Sequence, residues 1–211
     1  MIQRFHPFLV LWMLAILALS VAAWGACGVA LVVLDVQNYP LREWPPWRTA
    51  NDEYVVDAIA RVLDFARSAG IPVIYVQEIF PFTDLSPDLE LTEDQAFPDE
   101  IAPTATDPIF RKSGQDAFGS GALLPHLSDE GIETLLFCGI SSSSCLQVSA
   151  NTAVTLGFDV TIVGDAHSDI PGVPSNVALW NSRFVKRMGI PVLMSDDIDW
   201  ESYGCAQGGG G

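Results

Sequence analysis

The chain has little positive charge: 10 Lys and Arg stand against 26 Asp and Glu, for a formal net charge of -16. Such a surface repels phosphate backbones and anionic headgroups, so nucleic acid is excluded as an expected partner, and plain solubility accounts for the acidity. Close-spaced cysteine pairs are missing as well. Cys27, Cys138, Cys145 and Cys205 form no C-x-x-C spacing, which excludes a metal site of that type. Cys27 and Cys205 lie near the two ends and can pair only if the ends meet. There is no internal repeat and no sign of a second domain. What is present is 211 residues, 49% of them hydrophobic, enough for one globular domain around one sizeable core.

The N-terminus differs from the rest. Arg4 precedes "FLVLWMLAILAL" and then the small residues of "SVAAWGA", the layout of an export signal, with cleavage after Ala22 or Ala26 satisfying the small-residue rule. Phe8 to Gly28 is also long enough to cross a bilayer, which takes about 20 apolar residues, so an uncleaved anchor in contact with a membrane competes. Residues 1–26 are therefore expected to be a signal peptide or membrane anchor, and the protein exported to the periplasm or medium, or anchored. A cytoplasmic chain is the alternative. The folded domain is expected over 29–200, and 201–211, ending in "GGGG", as a flexible tail.

From Val29, "VALVVLD" is a continuous apolar run with β-branched members, suited to a strand buried on both faces. Val55, Val56, Ile59, Val62, Leu63 and Ala66 repeat at helical spacing, with Gly70 as the stop. "IPVIYVQ" reads as a second strand, and residues 80–115 as a long irregular stretch. A short helix at 122–127, the strand "ETLLFCG", a helix from Cys145 to Gly157, the strand "FDVTIVGD", a helix at 177–187 and a last strand "IPVLMS" complete the chain. This alternation predicts an α/β fold with a mostly parallel, Rossmann-like sheet covered on both faces. Ligand sites of such sheets lie at the carboxyl ends of the strands. That edge collects Asp35, Gln77 and Glu78, the serine run with Cys145, and Asp165 with His167.

The run "FCGISSSSCLQ" offers two nucleophiles. A serine hydrolase elbow reads G-x-S-x-G, and Gly139-Ile-Ser-Ser-Ser has serine where the second glycine must permit the sharp turn. The serines instead suit capping of the next helix. Cys145 opens that helix, where free N–H groups favour a thiolate; a small apolar filler at a helix start is the equal alternative from position alone. A Cys/His/Asn set written as Cys145, His167 and Asn181 lacks any local signature. Asp35, ending a buried strand, is costly unless paired or used, and Lys112 is the obvious counter-charge.

Three stretches, "VVLDVQN" around Asp35, "FRKSGQDAFGSGALLPHL" around Lys112 and "GISSSSCLQVSANTAVTLGFDVTIVGDAHSD" around Cys145, together resemble the isochorismatase-like cysteine hydrolases, in order from Val29 to about Leu193. The resemblance implies a three-layer α/β/α fold and a catalytic triad. Asp35 takes the thiol proton, Cys145 attacks a carbonyl carbon, Lys112 stabilises the charged groups, and water releases the thioester. It also implies a non-proline cis peptide at Ile140–Ser141 that aims the N–H groups of Ser141 and Cys145 at the oxyanion.

No cofactor is implied. Nicotinamidases of the family carry a metal site with histidine ligands after the first strand, whereas this sequence has no histidine between His6 and His126, so no metal site can be placed. "DAHSD" and "ALWNSRF" look more like the metal-free amidase subgroup that includes streptothricin hydrolase. The implied reaction is hydrolysis of a C–N bond in a small amide, lactam or carbamoyl substrate. Vinyl ether hydrolysis of the isochorismatase type and a catalytically silent exported binding protein are the alternatives. Gln37, Tyr39 and Phe118 are expected to line the substrate pocket, with Trp44, Trp47, Phe80 and Phe82 bordering it. Homodimers or homotetramers are expected from the family.

Overall fold

A computed structural model describes residues 28–41, 52–79, 90–169 and 176–204. Residues 1–26, expected to be a signal peptide or anchor, and Trp44, Trp47, Phe80, Phe82, Cys27, Cys205 and the side chain of Tyr39 lie outside the described residues. Strand β1, Val29–Leu34, is apolar at six consecutive positions and buried at all of them. Successive side chains of a strand point to opposite faces. Val29, Leu31 and Val33 accordingly enter one core, and Ala30, Val32 and Leu34 the other. Each Val or Leu side chain withdrawn from water contributes about 1.5–3 kcal/mol before the entropy of ordering the chain is subtracted.

Around β1 runs a six-stranded sheet in the order β3-β2-β1-β4-β5-β6. Its other strands are β2 (Val73–Glu78), β3 (Ile109–Lys112), β4 (Thr134–Ile140), β5 (Asp159–Ser168) and β6 (Val192–Leu193), and every pairing is parallel. Between them fall α1 (Asn38–Leu41), α2 (Asp52–Ser68), α3 (Leu123–Asp129), α4 (Gln147–Leu156) and α5 (Asn176–Arg183), and α6 (Trp200–Tyr203) follows β6. Helix α2 lays Val55, Ile59, Val62, Leu63 and Ala66 on one face, where Trp200 of α6 joins it. The opposite face is covered by Leu123 and Leu127 of α3, Ala150 and Ala153 of α4 and Trp180 of α5. The result is the expected three-layer α/β/α arrangement. No helix of the described residues is long and apolar enough to cross a membrane.

The chain moves outward from β1 to β2 and β3, then returns to the other side of β1 and continues outward through β4, β5 and β6. Such a reversal opens a crevice at the carboxyl ends of β1 and β4. Gly139 lets these strands approach there: its φ is 123°, and a Cβ would run into the backbone of Leu34.

Two expectations are corrected. Residues 109–112, expected to be irregular, form β3, so the sheet has six strands rather than five. This strand is four residues long, pairs only with β2 and exposes Ile109, so it shows neither the length nor the alternation that marks a strand in sequence. Residues 201–203, expected to belong to a flexible tail, instead continue α6, which packs Trp200 on Phe65 with ring centroids 5.8 Å apart.

Candidate functional site

Asp35, Lys112 and Cys145 meet at the β1/β4 crevice. Asp35 follows β1 directly with φ 52°, in the left-handed region that Asp tolerates better than most side chains. Its amide donates to Val76 O (3.0 Å) and its carbonyl accepts from the Gln37 amide (2.9 Å), which fixes the bend. Lys112 ends β3, two strands away, and its stem crosses the end of β2 to place Nζ 2.8 Å from Asp35 Oδ2. Nζ also donates to Gly114 O (2.6 Å) and to Cys145 Sγ (3.5 Å). The Asp35 contact is an ion pair rather than an aligned hydrogen bond, since neither carboxylate oxygen has a hydrogen-bond partner of ordinary geometry. Lys112 is wholly buried, and Asp35 and Cys145 are only 5% and 6% exposed.

Burial therefore sets the protonation of the group. It pushes the Asp35 carboxyl above the ordinary carboxylate range, against the pull of Lys112. Burial, with Asp35 adding to it and Lys112 opposing, pushes the Cys145 thiol up to about 12. For Lys112 burial works against the ammonium, but Asp35, Cys145 and Glu78 outweigh it and hold its pKa above the usual value. A fourth group closes the ring. Glu78 at the end of β2 brings a carboxylate oxygen to within 4.8 Å of both an Asp35 oxygen and Cys145 Sγ. The cation this donor set faces is the Lys112 ammonium, which sits against Asp35 and the sulfur.

The loop between β3 and α3 is tied to the helix that follows Cys145. Ser149 Oγ accepts from the Ala117 amide (2.9 Å), and Asp116 accepts from Thr152 Oγ1 (2.9 Å) and from the Phe118 amide (3.0 Å). Lys112 and Cys145 are thus joined through backbone as well as through Nζ.

The serine run forms a π-type turn, Ser142–Leu146, that leads into α4. The helix expected to open at Cys145 thus begins three residues earlier, and Cys145 sits within the turn. The Ile140–Ser141 peptide is cis. Ser141 O accepts from the amides of Ser144 (3.1 Å) and Leu146 (3.2 Å), which bracket Cys145. The serine side chains hold the turn to β5. Asp169 Oδ1, just beyond β5, accepts from Ser141 Oγ (2.8 Å), Ser143 Oγ (2.6 Å) and the Ser143 amide (3.3 Å). Ser142 Oγ lies 2.7 Å from His167 Nδ1 and 2.8 Å from Ser168 O. His167 Nε2 lies 2.7 Å from Asn181 Oδ1, whose amide nitrogen donates to Gly164 O (2.9 Å). An Asn oxygen only accepts, so Nε2 carries a proton. Burial holds the imidazole below its ordinary pKa, so Nδ1 of neutral His167 and Ser168 O are two acceptors facing the one hydroxyl proton of Ser142.

Both ring nitrogens of His167 are therefore spent on Ser142 and Asn181, and the Cys145, His167 and Asn181 set is not assembled. Asp165 and His167 lie within β5 rather than beyond its end, and Asp165 accepts from the Ser195 amide (2.8 Å) and hydroxyl (2.6 Å). Gln37 is buried, with Nε2 donating to Glu78 O (3.0 Å) and Gln95 O (2.9 Å) and Oε1 accepting from the Glu78 amide (3.0 Å). Its amide fastens the end of β2 beside Asp35. Tyr39 falls in α1, and Phe118 stacks on Phe158 at 6.2 Å in the core layer shared with α4. Sequence reading placed Glu78 at the correct edge without a role and did not single out Asp169. The serines and "DAHSD" were the available signal, since polar runs at two neighbouring strand ends have each other as partners.

A family model, the isochorismatase domain, matches residues 29–197. The chain belongs to the isochorismatase domain family. Among its relatives, streptothricin hydrolase of Streptomyces noursei is 31% identical over 150 residues, covering 69% of this chain and 57% of the relative. N-carbamoylsarcosine amidase of an Arthrobacter species is 24% identical over 161 residues, covering 68% of this chain and 61% of the relative. This isochorismatase domain protein thus spans somewhat over half the length of these two relatives. A solved structure titled as a cysteine hydrolase from Pseudomonas syringae pv. phaseolicola 1448A matches 84% of this chain and 94% of its own, with a TM-score of 0.72 at 18% identity, which shows a shared fold.

Proposed function

We propose that this protein is a cysteine hydrolase that cleaves the C–N bond of a small amide, lactam or carbamoyl substrate through a thioester. The observation that carries the reading is the placement of one ammonium, Lys112 Nζ, 2.8 Å from the Asp35 carboxylate and 3.5 Å from the Cys145 sulfur. Relatives named as a hydrolase of streptothricin and an amidase of N-carbamoylsarcosine support it.

The physical argument is charge balance. A neutral thiol beside Asp35 and protonated Lys112 has no net charge, and a thiolate beside protonated Asp35 and Lys112 has none either. Losing the thiol proton to water is opposed by burial, whereas passing it to Asp35 keeps the buried charge constant. Asp35 is the base: it takes the proton as Sγ bonds to the carbonyl carbon, and the carbonyl oxygen gains the electron pair. The amides of Ser141 and Cys145 receive that oxygen, on a turn held by Asp169 and His167. Collapse breaks the C–N bond, and the proton on Asp35 goes to the departing nitrogen. Water then adds to the thioester with Asp35 taking its proton, and breaking the C–S bond returns that proton to sulfur and releases the acid.

The test is turnover of a panel of small amides by the purified protein. Loss of turnover in Cys145→Ala with an unchanged circular dichroism spectrum supports the reading, and full activity in that variant rejects it. Export through the N-terminal leader and association into a dimer or tetramer belong to the same proposal. Intact mass of protein recovered from its host checks the first, and light scattering the second.

A further inference from the structure

Among the described residues, Glu78 is the ionisable group beside Asp35, Lys112 and Cys145 that the proposed reaction does not use. It ends β2 in register with Lys112 at the end of β3, and Gln37 clamps its backbone from both sides. Its carboxylate makes no hydrogen bond or salt bridge among the described residues, while Lys112 Nζ is paired with Asp35 and donates to Gly114 O and Cys145 Sγ. Unlike Asp35 it is only half-buried, and its carboxylate lies within 4.8 Å of the sulfur. An anion there opposes any step that builds negative charge on sulfur or on the carbonyl oxygen. It also repels a substrate that is itself anionic. A positively charged group seated against it removes both penalties and takes up its free acceptors.

We propose that Glu78 determines specificity by receiving a protonated amine, or another cationic group, that the substrate carries beside its scissile amide. The substrate class is then basic amides, and amides with a carboxylate at that position are rejected. This rests on Cys145 being the attacking atom, and it deepens that reading by naming which carbonyl compounds reach the sulfur.

The test reads charge selection at the sulfur without requiring turnover. Two methanethiosulfonate reagents, one with an aminoethyl tail and one with a sulfonatoethyl tail, are reacted at low ionic strength with the wild-type protein, Glu78→Gln and Glu133→Gln. Labelling of Cys145 is followed by peptide mass. Glu133 is exposed at the opposite end of the sheet and loses the same charge, so it controls for the acidic surface. The ratio of cationic to anionic labelling rates is expected to fall about tenfold in Glu78→Gln and to stay unchanged in Glu133→Gln. Equal ratios in the wild type and Glu78→Gln, an equal fall in Glu133→Gln, or no labelling of Cys145 by either reagent would overturn the proposal. Failure of Cys145 as nucleophile shows separately, as turnover retained in Cys145→Ala.

Discussion

Cys138 and Cys145 are seven residues apart, both buried, and chemically unlike. Cys138 lies inside β4 with Sγ 3.7 Å from Val32 O. Burial alone pushes its thiol well above the ordinary range. Cys145 is buried nearly as deeply and is also pushed up, but an ammonium lies 3.5 Å from its sulfur and two carboxylates lie within 4.8 Å. The difference is a nearby group that can accept the proton. Burial without charged neighbours makes a thiol inert, whereas burial beside a matched ion pair lets the proton move without changing the net charge of the site.

The comparison breaks most sharply by exchanging the roles of the two cysteines. Cys145→Ala is expected to reduce amide turnover to background with little change in stability, whereas Cys138→Ala keeps turnover and loses about 1 kcal/mol of stability by denaturant titration, from the small cavity it leaves. Asp35→Asn removes the base and is expected to slow turnover by roughly 10²–10⁴-fold. Lys112→Met leaves Asp35 buried and uncompensated, which should cost about 3–5 kcal/mol of stability. Adding Asp35→Asn to Lys112→Met should restore much of that stability and none of the activity, as a double-mutant cycle would show.

A smaller effect is expected one shell out. Asp169→Ala frees three donors of the serine turn and should lower kcat by about a hundredfold, with KM less affected, because the turn aims the amides that meet the oxyanion. The smallest effect concerns pH. His167 has a folded pKa held below the ordinary 6.5, so its contribution to stability is intact above 6.5 and is lost as pH falls from there through the lowered folded value. Thermal melts of His167→Gln should show a flatter acid limb than the wild type. Glu78 has the opposite sign: its folded pKa is raised above the ordinary 4.5, so the stability advantage of Glu78→Gln should grow as pH rises from about that value.

Some of this was legible in the sequence for physical reasons. "VALVVL" reads as a central strand because burial on both faces demands an unbroken apolar run, and a carboxylate ending such a run needs a counter-charge. The strand ends then bring Asp35 and the serine run together with no further information. β3 was not legible, since four residues pairing with a single neighbour leave no periodicity. The attachments of Gln37, Ser142 and His167 were not legible either, because each depends on which strands are adjacent. Glu78 was visible only as a polar residue at a strand end. Its lack of a partner among the described residues is a matter of geometry, with Lys112 Nζ set against Asp35, Gly114 O and the sulfur.

The most direct measurement of the central claim, that Asp35 and Cys145 exchange a proton within one buried group, is the pH profile of iodoacetamide alkylation at Cys145, read by peptide mass in the wild type and in Asp35→Asn. The account predicts a wild-type rate that is already level between about pH 7 and 8, and a variant slower by about a hundredfold at pH 7 whose rate still climbs beyond pH 9, with Cys138 unlabelled in both. Identical profiles in the two proteins, each following loss of the thiol proton to water, would contradict it.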